Sequence, residues 1–326
     1  MVEHGLRRHG VTVMALVAVL ILAALASLAF GSRPVSAAEL VAVVRGEGDA
    51  MVRSVMASRV PRTGVGIVVG ALLGVAGLLM QSLTRNPLAD PGLLGVNAGA
   101  AAAVVVTAAL VAPGAAVVAA LPGALLAMAL VTALSWGREG MVPVRVVLAG
   151  AAVTAALMAL IQGITLSNPK AFDSYRLWAV GSLSGARLDP ASLAVGLAGL
   201  VGAALLTQRL NALALGDDTA ASLGQQPTRS RLLGLAAAAL MCAAATTMIG
   251  PVSFLGLAAP HIARTLVGAD HRWQVLAVAL LGPVLLLAAD VLGRVLVRPE
   301  ELQVGVVVAF AGAPVMLALV RAGKLR

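Results

Sequence analysis

Long apolar runs without a single charge recur along this chain: Gly10 to Ser32, Thr63 to Thr84, Pro91 to Gly137, Val146 to Pro169, Pro190 to Gln208, Leu232 to Ala263, Trp273 to Ala289 and Leu302 to Val320. A bilayer core is crossed by roughly 20 helical residues, so each run predicts at least one membrane helix. Two runs are too long for one crossing. Pro113-Gly114 divides the third run, and Gly250-Pro251 divides the sixth into one full helix and one short one. The pattern predicts ten helices in one domain over residues 1–326, at about 11–31, 63–83, 94–112, 115–135, 145–166, 190–208, 231–249, 252–266, 273–296 and 303–321.

Composition agrees with an all-α integral membrane protein. The chain is 60% hydrophobic with mean hydropathy +0.99, and its aromatic content of 2% lacks the girdles of a β-barrel. Gly66, Gly70 and Gly74 lie one helical turn apart, a stripe that lets a second helix approach closely. No internal repeat is visible. The net charge of +9 is spread between the apolar runs rather than gathered into an aromatic-interleaved patch, which argues for membrane and against nucleic acid. Arg7 and Arg8 before Val11–Phe30, with Val35-Ser36-Ala37 after it, resemble a signal sequence; the run is long enough to span and reads as a retained first helix. Ten crossings put both termini on one side, and Arg7, Arg8, Arg321, Lys324 and Arg326 make that side cytoplasmic. The bias is weak because Arg33, Arg45, Arg53, Arg59, Arg62, Arg294 and Arg298 fall outside. Cys242, the one cysteine, reads as a small buried hydrophobe.

The energy source is legible by exclusion. Of 14 acidic residues only Asp290 falls near the inside of a long apolar run, whereas ion-coupled carriers keep ionisable groups inside the membrane. Neither lysine, Lys170 or Lys324, stands in a G-x-x-x-x-G-K-[ST] phosphate cradle, so no catalytic site for ATP is expected in this chain. Energy is then expected from a partner. The largest cytoplasmic loop contains Leu215, Gly216, Asp217, Asp218, Thr219, Ala220, Ala221, Ser222, Leu223 and Gly224. Asp217 or Asp218 suits an N-cap and Gly224 a left-handed C-terminal position, which predicts a short helix fit to dock into a cytosolic motor. Four scattered histidines, His261 among them, offer no metal-ligand cluster, and no cofactor is expected.

Arg59-Val60-Pro61-Arg62 and the run from Gly77 to Ala100, with Asn86-Pro87-Leu88-Ala89-Asp90-Pro91 and Asn97-Ala98-Gly99 inside it, resemble the FecCD-type permeases of iron-siderophore and vitamin B12 ABC importers. The similarity continues through Trp178, Gly181-Ser182-Leu183, Pro260-His261-Ile262-Ala263-Arg264, Asp270-His271-Arg272 and Gly312-Ala313-Pro314, over about residues 55–321. Asn168-Pro169 and Leu266–Trp273 narrow it toward the permease subunits for ferric enterobactin. One departure is Gln303 in Glu301-Leu302-Gln303-Val304-Gly305, where the family usually has proline.

The resemblance implies a ten-helix type II importer permease subunit, paired with a paralogous or identical subunit. It also implies a cytosolic ATPase pair that holds ATP and magnesium, and an extracytoplasmic siderophore-binding protein. It places Arg59, Arg62 and Arg294 against acidic residues of that binding protein. Part of the inner gate is implied at Asn86, Pro87 and Leu88, alongside Pro143 and Val144. The implied cargo is a ferric siderophore of catecholate type, with cobalamin or haem as alternatives. An ion-coupled secondary carrier is the reading from another class, and the missing carboxylates weigh against it.

Overall fold

The structure is a computed structural model that describes residues 2–111, 116–137, 140–141 and 143–321. In chain order the helices are α1 (Val2–Ala29), α2 (Ala37–Val44), α3 (Ala50–Thr84), a 3-10 turn (Pro91–Leu94), α4 (Val96–Leu110) and α5 (Ala116–Ser135). A two-residue hairpin, β1 (Trp136–Gly137) and β2 (Gly140–Met141), leads into α6 (Pro143–Ser167), α7 (Pro169–Ala179) and α8 (Pro190–Ala214). Then come α9 (Asp217–Ser222), α10 (Pro227–Ile249), α11 (Leu255–Val267), α12 (His271–Leu296) and α13 (Val304–Arg321). Among the described residues seven helices contain spans long and apolar enough to cross a membrane, and shorter apolar helices accompany them. The protein is a multi-pass membrane protein.

The core is built around α3, which is buried along most of its length after Thr63. Its glycine stripe sets the closest approach. Gly66 meets Leu287, Gly70 meets Gly282 and Pro283, and Gly74 meets Val278, so α3 and α12 run antiparallel. A β-carbon at Gly70 would lie 2.5 Å from the Pro283 backbone, which only glycine avoids. Helix α1 runs parallel to α12: the His9 and Trp273 rings lie 5.0 Å apart at one end, and Arg294 reaches Ser27 at the other. Outside the core, α1 presents Met14, Ile21 and Leu22, exposed apolar side chains that a lipid bilayer would cover.

The structure departs from the apolar pattern at several places. Helix α3 begins at Ala50, so Arg53, Arg59 and Arg62 stand on a helix rather than in a loop. Its 35 residues span about 52 Å, more than the hydrocarbon core of about 30 Å requires. Pro61 is tolerated within it because Ala57, whose carbonyl loses its partner, is exposed. Helix α2 is held by a capping box in which Ser36 and Glu39 satisfy each other's orphan groups. The hydrogen bond from the Ser36 backbone N–H holds the Glu39 carboxyl below its ordinary range. The Pro113-Gly114 break lies outside the described residues. At Gly250 the chain turns at φ +80°, α10 ends, and a β-carbon would strike the Trp178 carbonyl. Ser182 N–H donates to Ile249 O at 2.7 Å and Gly305 N–H to Gly181 O at 3.1 Å, which ties the segment after α7 to the end of α10 and the start of α13 through backbone alone.

Candidate functional site

Polar chemistry gathers at the two ends of the bundle, named here by the helices that mark them, α2 and α9. At the α2 end, Asp290 is fully buried and accepts from Arg62 Nη2 at 2.7 Å and Arg294 Nη2 at 2.9 Å. Arg62 also pairs with Glu301 at 2.7 Å. Arg59 donates through Nη1 to Leu28 O at 2.7 Å and Ala29 O at 3.1 Å, and through Nη2 to Arg33 O. Arg294 donates to Ser27 O and Phe30 O, each at 3.0 Å. Both guanidiniums therefore cap the C-terminal carbonyls of α1, where the helix dipole is negative and the chain's own donors have run out.

That geometry corrects the picture of three arginines presented outward. Arg59 is 6% exposed, Arg294 is 1% exposed, and Arg62 is engaged by two carboxylates. Exposed cations at this end include Arg45, Arg53, Arg187 and Arg298. Sequence reasoning missed the inward turn because the partners lie far away in the chain: Asp290 is 228 residues from Arg62.

Midway through the bundle, Asn97 Oδ1 accepts from Thr246 Oγ at 2.9 Å and faces the Cys242 thiol at 3.6 Å. The cysteine is 1% exposed, the packed position its apolar surroundings predicted. Asp90 caps the 3-10 turn, accepting from Gly92 N–H at 2.8 Å. Asn86 Oδ1 accepts from Leu88 N–H at 2.9 Å, and Leu88 is exposed. Pro143 opens α6, which the 3-10 turn packs against, and Val144 follows it with its side chain exposed.

At the α9 end, the short helix is present, with a different cap from the one expected. Gly216, not an aspartate, is its N-cap, and no side chain caps it. The Asp217 carboxylate instead bridges Arg85 at 2.7 Å and Arg231 at 2.8 Å, pinning α9 to the ends of α3 and α10. Thr219 and Ser222 close the turn: Leu223 N–H donates to Thr219 O at 3.1 Å and Ser222 Oγ to Asp218 O at 2.9 Å. Gly224 adopts φ +77°, the left-handed position expected of it. Ala220 is buried beneath the helix, while Leu215 and Leu223 are exposed on either side of it.

Beside α9, a chain of side chains clamps three helices. Asp270 Oδ1 accepts from Asn211 Nδ2 at 2.8 Å, and Asn211 Oδ1 faces His271 Nδ1 at 2.8 Å. That orientation of the amide makes Nδ1 the protonated nitrogen, and Nε2 faces Ser82 Oγ at 2.9 Å. Arg264 Nη2 donates to Gln81 Oε1 at 2.7 Å, and Gln81 Nε2 donates to Gly256 O at 3.2 Å. Asn211 and Ser82 were not singled out from sequence; polar side chains amid apolar helix residues were the available signal. Among the described residues no three His, Cys, Asp or Glu side chains gather as a metal set.

As a whole, the helical bundle has the fold of an ABC importer permease. The structure matches the inward-facing conformation of a metal-chelate type ABC transporter with a TM-score of 0.81, covering 96% of this chain and 99% of that one at 24% identity. In sequence, residues 19–322 match the FecCD transport family. The chain is 45% identical to the ferric enterobactin transport system permease protein FepD of Escherichia coli, over 96% of both. It is 36% identical to that organism's ferric enterobactin permease protein FepG, also over 96% of both, and 37% identical to the hemin transport system permease protein HmuU of Yersinia pestis, over 83% and 84%. The chain belongs to the FecCD transport family.

Proposed function

We propose that this chain is a membrane subunit of an ATP-binding-cassette importer that carries a ferric siderophore of catecholate type across the cytoplasmic membrane. The observation that carries the reading is 45% identity to a ferric enterobactin permease over 96% of both chains. The α9 end then faces the cytoplasm, with both termini, and the α2 end faces outward. A second permease subunit, identical or paralogous, completes the pathway, and a pair of cytosolic ATPases supplies the energy. Exposed Leu215 and Leu223 flank α9 as the surface that enters the motor. The segment Asn86–Leu88 with Pro143 and Val144 serves as the inner gate.

An extracytoplasmic binding protein docks at the α2 end. Arg59, Arg62 and Arg294 hold that surface in shape, and Arg45, Arg53 and Arg298 supply its outward charge. Such charge mainly governs encounter rate and register, so docking weakens steeply with salt. The Asp290 carboxylate is already neutralised by two guanidiniums, which supports motor-driven transport over ion coupling.

Haem is the second reading, favoured by the 37% identity to a hemin permease. The deciding experiment is uptake of labelled iron as a catecholate siderophore, a hydroxamate siderophore and haem in cells with and without the gene. Loss of the catecholate signal alone supports the first reading; loss of haem uptake alone selects the second. If all three persist unchanged, both fail and labelled cobalamin is the next cargo to test.

A further inference from the structure

A pocket of about 470 Å³ opens at the α9 end, between the ends of α3, α8 and α11 and the start of α12. Ser82, Arg85, Arg264, His271 and Gln274 give it a polar lining, and no Asp or Glu lines it among the described residues. Arg264 is partly buried, makes its one bond to the neutral Gln81 amide, and forms no ion pair among the described residues. Asp217 offsets Arg85, and Asp270 lies behind Asn211 and His271, so Arg264 is the lining guanidinium left without a counter-charge among the described residues. Gln274 is 2% exposed; its Nε2 donates to Gly268 O at 2.7 Å, which fixes the amide, and its Oε1 is buried with no partner. A buried acceptor left unpaired is costly, so the site asks for a donor as well as an anion.

We propose that this pocket binds a phosphate-class oxyanion that carries a hydroxyl group: inorganic hydrogen phosphate, or the phosphate and glycerol hydroxyls of an anionic phospholipid headgroup. The Arg264 fork takes two oxyanion oxygens at once, the geometry at which arginine excels. The hydroxyl donates to Gln274 Oε1, which a carboxylate or sulfate cannot do. Basic pockets between membrane helices suit headgroup phosphates, and the same chemistry admits the free ion. Arg85 lines the pocket and also holds Asp217 of α9. Occupancy is thus felt at the helix that faces the motor.

The test uses the full chain in phosphatidylcholine nanodiscs, melted in rising phosphate, with sulfate and chloride at matched ionic strength. Phosphate is expected to raise the melting temperature more than sulfate does. Arg264→Ala weakens the apparent phosphate affinity by about tenfold or more, and Arg264→Lys, which keeps charge without the fork, falls between. Gln274→Leu removes the orphan acceptor together with the bond to Gly268 O, which lowers the starting melting temperature, and makes the phosphate and sulfate shifts equal. Nanodiscs containing phosphatidylglycerol separate the sources. If they raise the melting temperature in an Arg264-dependent way and phosphate adds nothing further, the headgroup is the occupant; if phosphate still adds its full shift, the free ion is. Equal shifts with phosphate, sulfate and chloride in the unmodified chain, with no Arg264-dependent effect of phosphatidylglycerol, overturn the proposal. Its failure leaves the transport reading untouched, since that rests on uptake.

Discussion

Asp290 is the residue on which the α2 end turns. A carboxylate with no exposure is stable there only because Arg62 and Arg294 both reach it, and those two are held by Glu301 and by the α1 carbonyls in turn. Removing the shared anion leaves Arg294 buried and uncompensated. Asp290→Asn should cost about 3–5 kcal/mol, the range for one lost partner of a buried pair. Glu301→Gln, at a side chain 32% exposed, should cost less than about 1 kcal/mol. Thermal melts of the purified chain check the contrast; equal losses would mean that Asp290 carries no special burden. At the other end, burial pushes the Asp270 carboxyl up, but hydrogen bonds from the Asn211 amide and the Arg272 N–H and the charge of Arg272 outweigh it, so the group sits below the ordinary carboxylate range. Its stabilisation is present above the unfolded value of about 3.9 and is lost as pH falls through the depressed folded value. Asp270→Asn should remove that part of the acid dependence, seen as a flatter melting temperature between pH 5 and pH 3 on the order of the carboxylate range.

Among the elements, α3 shows how much of the fold follows from small residues. Gly70 sits against Pro283 backbone, whereas a β-carbon at Gly64 would meet nothing within 4 Å. Gly70→Ala must push α12 away and should destabilise by about 1–3 kcal/mol, as overpacked cores do. Gly64→Ala should be neutral or gain up to about 1 kcal/mol from helix propensity alone. Melting the two variants side by side tests whether the stripe is an interface or a coincidence. The stripe was legible because four-residue spacing puts Gly66, Gly70 and Gly74 on one face whatever the tertiary fold. The break at Gly250-Pro251 was legible for the same local reason, since a left-handed glycine followed by proline ends a helix by its own sterics. Helix α2 and the first four turns of α3 were not. Neither contains an uncharged run of membrane length: α2 has eight residues, and Arg53, Arg59 and Arg62 interrupt the start of α3, so a search for long apolar runs passes over both. The inward turn of Arg59 and Arg294 was hidden for a different reason: which carbonyls run out of donors depends on where α1 ends against α3 and α12.

Across the whole molecule, one set of packed helices joins the α2 end to the α9 end, and on the function proposed above the motor's work enters at α9. The element is only six residues long, too short to hold its shape without tertiary support. Ala220 packs beneath it, and one carboxylate adds a polar link: Asp217 reaches the end of α3 through Arg85 and the start of α10 through Arg231, so a push on α9 is delivered to two core helices at once. Separating support from contact gives two distinct expectations in the assembled importer. Asp217→Asn leaves Leu215 and Leu223 in place for docking but loosens the linkage, so ATP hydrolysis should continue while uptake falls severalfold. Leu223→Glu removes the apolar contact itself, so the ATPase should no longer co-purify with the membrane subunit, although insertion is normal. Parallel measurement of uptake, ATP turnover and co-purification separates them. If uptake stays at the unmodified level in both variants, α9 is not the path by which the motor's work reaches α3 and α10. If Asp217→Asn lowers hydrolysis and uptake in proportion, the carboxylate matters for docking rather than for transmission, and the load must pass through the exposed leucines alone.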